Sequence, residues 1–471
     1  MQEQDLRQYA MKLPLFDDFW IDFRVNTVRR WFAPELHAVV QAGPYSSLLY
    51  DPERKVYRLY YEEKLFPDKD GPRALKLKES TDLVNFTQVL GPDGTDVLYD
   101  GETGIHGGSV VYDAFDPDPA RRYKLCTMTR MERKGLPKEV EVIFSADGIR
   151  WETDHTHILH PYTSDTRNAL VYNPLRREYM LLHRSAHVDR RISVKTSEDL
   201  KNWTESRIVL QPGANYNDGF TAMHHYAMGV RYMDGIFYGL LWRYNTNLCS
   251  EDYTRMTGFM EPELVYSYDG NEFLYTSGKP LMERPLPPTP GFAGLAAQDM
   301  CLSADGSEYY MVCIGYTHSH GTQDYNYRIS QLQEGKIKRG HPIYKIRRDG
   351  FCGIESVGPG GKVITKPLEL MADDLRFNVR ANGGWVRFGL MEKNGSFLEG
   401  FSFDDCVPYE MDDGLDVRPQ WKEHTLSEVL NRQVRIAVEL NGAILHCISA
   451  TARPCIRQRQ ESFSRPMGVE Y

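Results

Sequence analysis

Along most of the chain the apolar residues come in short runs, not in helical stripes. Runs rich in Val, Tyr, Phe and Leu are broken by Asp, Gly and Pro, the residues that make turns. Helical periodicity predicts only two short helices, over 3–13 and 427–431. Everything else in the pattern predicts strands.

The strands come in repeated hairpins. Five segments share one form, an apolar strand, a polar turn and an aromatic-rich strand, over 47–61, 110–126, 170–182, 230–242 and 300–312. Their equivalent residues Tyr50, Tyr112, Tyr172, Tyr232 and Leu302 are 62, 60, 60 and 70 positions apart. A second motif alternates with the first: Ser-x-Asp-(Gly/Leu) followed by an aromatic residue. It starts at Ser80, Ser145, Ser197 and Ser267, with a degenerate copy at Ser330, at separations of 65, 52, 70 and 63. Asp caps the turn, Gly takes the left-handed conformation, and the aromatic ring packs between neighbouring sheets.

Two alternating hairpins per period make four strands per repeat, and five repeats predict a five-bladed β-propeller over 31–345. Residues 1–30 read as an N-terminal extension. After 346 the pattern changes to strands over 360–370, 375–379, 384–390, 434–440 and 443–448, joined by Asn-Gly turns. These predict a β-sandwich over 346–450, with 451–471 as a tail.

Composition narrows the function. Aromatics make up 12% of the residues, too many for a disordered chain. With 56 Lys+Arg against 65 Asp+Glu, the net charge of −9 offers no general attraction for nucleic acid. The stretch 236–242, among the longest apolar ones, is far shorter than the roughly 20 residues of a membrane helix. The first residues are polar and charged, without a secretory signal, and the eight cysteines lack CxxC spacing. A cytoplasmic protein with reduced thiols is expected, and a homo-oligomer is compatible with the sequence.

Propeller topology points to a site. The innermost strand of each blade starts on one face, and the second strand returns to it. Residues before the first strand and after the second therefore ring the axis. Before the first strands stand Glu35, His37 and Tyr45, then Asp100, Glu102 and His106, then Asp165, Arg167 and Asn168, then Asp218, His224 and His225, then Gln298 and Asp299. After the second strands stand Glu62 and Glu63, Arg130, His183 and Arg184, Trp242 and Arg243, and His318 with His320. This face is rich in carboxylate, Arg and His. Arg residues here fit either an ion-pair network closing the propeller or an acidic sugar or phosphate. Tyr45 and Trp242 fit either a sugar-stacking surface or inter-blade core. His318 and His320 share a strand face, but no Cys or Glu stands at metal-site spacing, so neither a metal nor a cofactor is expected.

The Ser-x-Asp-Gly-x-x-Trp hairpin at 145–151, the stretch 111–124 and the stretch 400–408 in the sandwich resemble glycoside hydrolase family 32. That family belongs to a wider set of five-bladed propellers with families 43, 62, 68 and 117, and the likeness is greatest to an uncharacterised bacterial branch. The resemblance spans nearly the whole chain and implies a glycosidase. The family's Trp-Met-Asn-Asp-Pro, Arg-Asp-Pro and Glu-Cys motifs are absent, so its catalytic residues have no counterparts to carry over. Glycoside hydrolysis needs two carboxyl groups about the scissile bond. Asp165 is the first candidate, because its place in blade 3 is near the family's general acid. Asp299 follows the small apolar run 291–297, which could desolvate it; Asp218 and Glu35 come next. Tyr45, Glu62, His106, Arg130, Asn168, Arg184, His225, Trp242, Arg243, His318 and His320 are the candidate substrate contacts. The expectation is a glycosidase that releases a terminal sugar, furanosidic sugars among the candidates, from a small carbohydrate substrate. Glycoside phosphorolysis and a non-catalytic sugar-binding propeller are the alternatives.

Overall fold

The computed structural model describes residues 6–65, 72–101, 103–129, 139–152, 158–161, 164–185, 190–212, 221–247, 258–320, 334, 340–381 and 383–455. The fold is all β, with two compact units. One comprises Ala33–Met233 and Phe237–Ile346; the other comprises Met1–Phe32, Arg347–Tyr471 and the tripeptide Asp234–Ile236. No helix among the described residues is long and apolar enough to cross a membrane.

The first unit is a five-bladed propeller built from five four-stranded antiparallel sheets. Their innermost strands are Ser47–Asp51, Ile105–Tyr112, Ala169–Asn173, Thr221–Tyr232 and Gly294–Leu302. Each touches the next around a ring, and the fifth touches the first. The second strands, Val56–Lys64, Tyr123–Thr129, Glu178–Arg184, Phe237–Asn247 and Glu308–Tyr316, return to the starting face. Apolar clusters fill the gaps between blades: Val111, Cys126, Phe144, Leu170 and Leu181 pack blade 2 against blade 3.

The Ser-x-Asp turns fold as their chemistry predicts. The Ser145 and Ser267 hydroxyls each accept the N–H of the glycine three residues on, at 2.9 Å. The position after Asp is left-handed in every copy described, at φ 74° for Gly148 and φ 80° for Gly270, and at φ 59° and 64° where Leu83 and Leu200 stand instead.

Blade 5 departs from the expected order. Its outermost strand is Glu35–Val40, paired antiparallel with His341–Arg347. The N-terminal end of the propeller thus closes the ring. Blade 5 needs no turn between its third and fourth strands. The degenerate motif at Ser330 precedes the third strand and, apart from Glu334, lies outside the described residues.

The second unit joins eleven strands in two faces. One face holds Thr27–Trp31, Cys352–Ser356, Ile444–Pro454, Arg376–Arg380 and Asp413–Val417; the other holds Ile21–Val25, Gly361–Thr365, Gln433–Asn441 and Trp385–Met391. Phe377 and Phe388, one from each face, stack at 4.1 Å between ring centres in the core of this sandwich. Residues 1–30 are not an extension. Ala10–Leu13, Ile21–Val25 and Thr27–Trp31 pair with Ile444–Pro454, Gly361–Thr365 and Cys352–Ser356, which satisfies backbone groups those strands would otherwise leave open. The expected helix over 3–13 is one 3-10 turn, Leu6–Tyr9, running into a strand. The strand Ile444–Pro454 also runs past the expected boundary at 450.

Candidate active site

Three innermost strands are irregular where they reach the axis. The ladder slips between His106 and Ser109 in blade 2, at Tyr226 in blade 4 and at Gln298 in blade 5. Each slip adds a residue and re-aims the side chains beside it, as bulges do. In blade 2 the slip includes Gly107 (φ 71°), where a Cβ would lie 2.0 Å from the Thr166 carbonyl. Only glycine allows that approach, and it lets the Gly107 carbonyl accept the Asn168 N–H at 2.7 Å.

That stitch places Asp165. Ser164, Thr166, Arg167 and Asn168 are all buried, yet the Asp165 side chain is 57% exposed. Its backbone and its carboxylate are both held. The Asp165 carbonyl accepts from His106 Nε2 at 2.8 Å and from the Tyr45 hydroxyl at 3.3 Å. Its carboxylate pairs with Arg184. Tyr45 has φ 55°, an unfavourable conformation for a bulky residue and one that clusters at functional sites.

His106 is oriented in turn. With Nε2 donating to Asp165, Nδ1 accepts, and it faces Arg73 at 3.4 Å. Behind both lies the buried Glu62, whose Oε1 accepts the Gly108 N–H at 2.7 Å and whose Oε2 is 3.7 Å from Arg73 and 3.8 Å from His106. Glu62 thus stands behind His106, as one link in a chain through Arg73 and His106 to Asp165.

An aromatic wall completes the mouth. Trp242 is buried, donates to the Ala297 carbonyl at 2.6 Å, and stacks with Tyr45 and Tyr226 at ring separations of 6.1 and 6.3 Å. It backs the wall, and the two tyrosines carry it to the mouth. His320 sits edge-on to Tyr226 and Tyr244 at 5.0 and 5.3 Å. Burial, then the charges of Arg190, His318 and Arg184, push its imidazole down to about 4. His318 is half-buried beside the Thr317 hydroxyl.

Other candidates serve elsewhere. Asp299 is buried, accepts from Leu48 N–H and Arg231, and lies 3.8 Å from Arg167. Glu35 lies on the outer strand of blade 5, largely exposed, paired with Lys345 at 3.3 Å. Its place follows from ring closure, which the order of the hairpins does not reveal. Arg243 alternates with Trp242 and Tyr244 along a strand and so points the other way, to Glu261 at 3.1 Å and Glu263 at 3.4 Å. His225 is fully buried against the Tyr275 hydroxyl at 2.7 Å, and Asn168 donates to the Thr166 carbonyl at 3.0 Å. Asp218 and Arg130 lie outside the described residues.

The topological rule omits Arg73, Arg190, Tyr226 and Tyr244. Tyr226 is not legible from the run His224-His225-Tyr226, because three polar rings can alternate between the faces of a regular strand and only the pairing register shows the bulge.

No family model matches the chain, that of family 32 included, and no curated protein matches it. Among solved structures it is similar to a thermostable family-43 glycoside hydrolase, at 14% identity over 71% of this chain and 95% of that one, with a TM-score of 0.42. It is similar to a β-1,2-mannobiose phosphorylase from Listeria innocua at 11% identity over 66% and 90%, TM-score 0.40. It is also similar to an N-acetylgalactosamine deacetylase from F. plautii at 12% identity over 91% and 95%, TM-score 0.41. These likenesses assign no activity to the chain.

Proposed function

We propose that the axial mouth of the propeller cleaves the terminal glycosidic bond of a small glycoside, with Asp165 as the acid–base group. One observation carries this: in a segment whose other side chains are buried, Asp165 alone faces solvent, with its carbonyl and its carboxylate held by residues of other strands. Such preorganisation is what proton transfer in a transition state requires. In the reaction the glycosidic C–O bond breaks, Asp165 gives its proton to the leaving oxygen, water adds to the anomeric carbon, and the proton that water loses restores Asp165. Tyr45 and Tyr226 offer ring faces against the apolar face of a sugar.

A panel of aryl furanosides and pyranosides tests this. The wild-type chain should cleave at least one, and Asp165→Asn should lower that rate by about 10²–10⁴. Full activity in Asp165→Asn removes Asp165 from the chemistry. A sugar that binds in calorimetry but is never cleaved favours the binding-module reading. Phosphorolysis is a second reading, favoured because the groups around Asp165 are basic, with Arg184 paired to it and Arg190 beside Arg184 on the Tyr226 ring. In that case turnover requires added phosphate.

A further inference from the structure

The inner strands of the propeller run away from the mouth and end around a second opening, on the face opposite Asp165. A cavity of about 580 Å³ lies there, within the roughly 300–1,000 Å³ of small-molecule sites. The inner strands of blades 1, 2, 4 and 5 line it, and no residue of the mouth takes part.

Its walls come from the repeat. Tyr50, Tyr112 and Tyr232, which hold equivalent places in three blades, all line the cavity. Each ring is held by the second strand of its own blade: Tyr50 by Tyr57 at 5.1 Å between ring centres, Tyr112 by Tyr123 and Tyr232 by Phe237 at 5.0 Å. That packing accounts for the period of the tyrosines, and it also fixes their rings beside the cavity. Met233, Met300 and Leu302 add apolar wall.

The floor is charged. Arg231 reaches across the axis from blade 4. Its Nε and Nη2 donate to Asp299 of blade 5 at 2.7 and 2.5 Å, and Nη2 also lies 3.4 Å from the Val110 carbonyl of blade 2. Nη1 makes no hydrogen bond among the described residues, and Arg231 is part of the cavity lining. Asp299 is shared with Arg167 at 3.8 Å, so it does not fully neutralise Arg231. The acid in the lining, Asp305, is taken up by its own hairpin. It accepts from the Ser303 and Ser307 hydroxyls at 2.6 and 2.7 Å and from the Ser307 N–H at 3.0 Å. Three tyrosine rings favour a flat aromatic body, and a guanidinium donor beneath them favours an anionic acceptor on it.

We propose that this cavity binds an aromatic carboxylate, with its ring among Tyr50, Tyr112 and Tyr232 and its carboxylate on Nη1 of Arg231. The site is separate from the mouth and does not depend on the glycoside reading.

Calorimetric titration of the full chain with benzoate and with benzyl alcohol tests it. Benzoate should bind at millimolar concentration or below, about tenfold to a hundredfold more tightly than the alcohol. Tyr112→Leu should weaken both ligands about two- to tenfold. Arg231→Gln should bring benzoate down to the level of the alcohol. Should that variant not fold, since Arg231 anchors Asp299, the charge is read at Leu302, a half-buried position on the wall. There Leu302→Glu should weaken benzoate about two- to fivefold and Leu302→Lys should tighten it by a similar factor, with the alcohol indifferent to both. Asp165→Asn, at the other end of the axis, should leave benzoate binding unchanged; a change there puts the ligand in the mouth and overturns the site. The site is also overturned if benzoate does not bind, if the alcohol binds as tightly, or if neither Tyr112→Leu nor the Leu302 pair alters binding.

Discussion

Two aspartates stand near the propeller axis, each paired with arginine, and the fold holds them in opposite ways. Asp299 is almost completely buried. Its Oδ1 accepts from Arg231 Nε at 2.7 Å and the Met300 N–H at 2.9 Å, its Oδ2 from the Leu48 N–H at 2.9 Å, and Arg167 lies 3.8 Å away. Its hydrogen bonds tie blade 5 to blades 1 and 4, and no lone pair is left for a substrate. Asp165 carries the same functional group but exposes it, and here the backbone is what the neighbours hold. A carboxylate saturated by its own protein holds the fold together. One whose main chain is held and whose side chain, paired with a single arginine, is 57% exposed stays open to a partner from solution, as the proposed role of Asp165 requires. The apolar run 291–297 correctly marks Asp299 as desolvated, but burial with two arginines makes an ion-pair hub, not a proton donor.

The largest test of this contrast is Asp165→Asn. It should cost about 10²–10⁴ in turnover and about 1 kcal/mol in stability, since the Asp165 side chain is 57% exposed although its partner Arg184 is mostly buried. Asp299→Asn should do the opposite. Removing one side of a buried ion pair strands Arg231 and Arg167, at a cost of about 3–5 kcal/mol. Chemical denaturation of both variants beside the wild type reads the two effects. Comparable stability losses in the two would erase the distinction.

Glu263 provides an intermediate case. It is fully buried, as Asp299 is, but its one arginine, Arg243, is shared with Glu261. Burial, only partly offset by Arg243, pushes Glu263 up to about 7 from its ordinary 4.5. The folded chain therefore holds this proton longer than the unfolded one does. The stability it contributes is full below pH 4.5, falls as pH rises from 4.5 to about 7, and is flat above. The loss is on the order of 3 kcal/mol. Glu263→Gln should remove that slope, so denaturation at pH 5 and pH 8 should differ less in the variant than in the wild type. An unchanged slope would mean that Arg243 neutralises Glu263 as fully as Arg231 and Arg167 neutralise Asp299.

Turn chemistry is local, and that is why the blades were legible. Ser145, Asp147 and Gly148 make the same hydrogen bonds whatever surrounds them, so their spacing reports the repeat. The axial face was legible for a related reason: strand order alone brings Tyr45, His106, Asp165, Arg184 and His320 to one end. Features set by pairing between distant segments were not legible. Glu35 was misplaced because ring closure joins it to Lys345, some three hundred residues away. Tyr226 was missed because a bulge, not a period, aims it. Arg243 was placed on the wrong side because a one-residue change in strand phase reverses a side chain.

The smallest test concerns the grip on the backbone. If Asp165 differs from Asp299 because its main chain is held, loosening that hold should weaken catalysis without touching the carboxylate. Tyr45→Phe deletes the hydroxyl that donates to the Asp165 carbonyl at 3.3 Å and keeps the ring stacked on Trp242. The His106 bond to the same carbonyl remains at 2.8 Å, so the segment stays folded but less constrained. One neutral hydrogen bond is worth about 0.5–1.5 kcal/mol, so kcat should fall roughly two- to tenfold. Because Tyr45 steadies Asp165 through its backbone, KM for a small aryl glycoside should change less than kcat. A rise in KM with kcat unchanged would instead make the Tyr45 hydroxyl, like its ring, a substrate contact and leave His106 as the residue that positions Asp165.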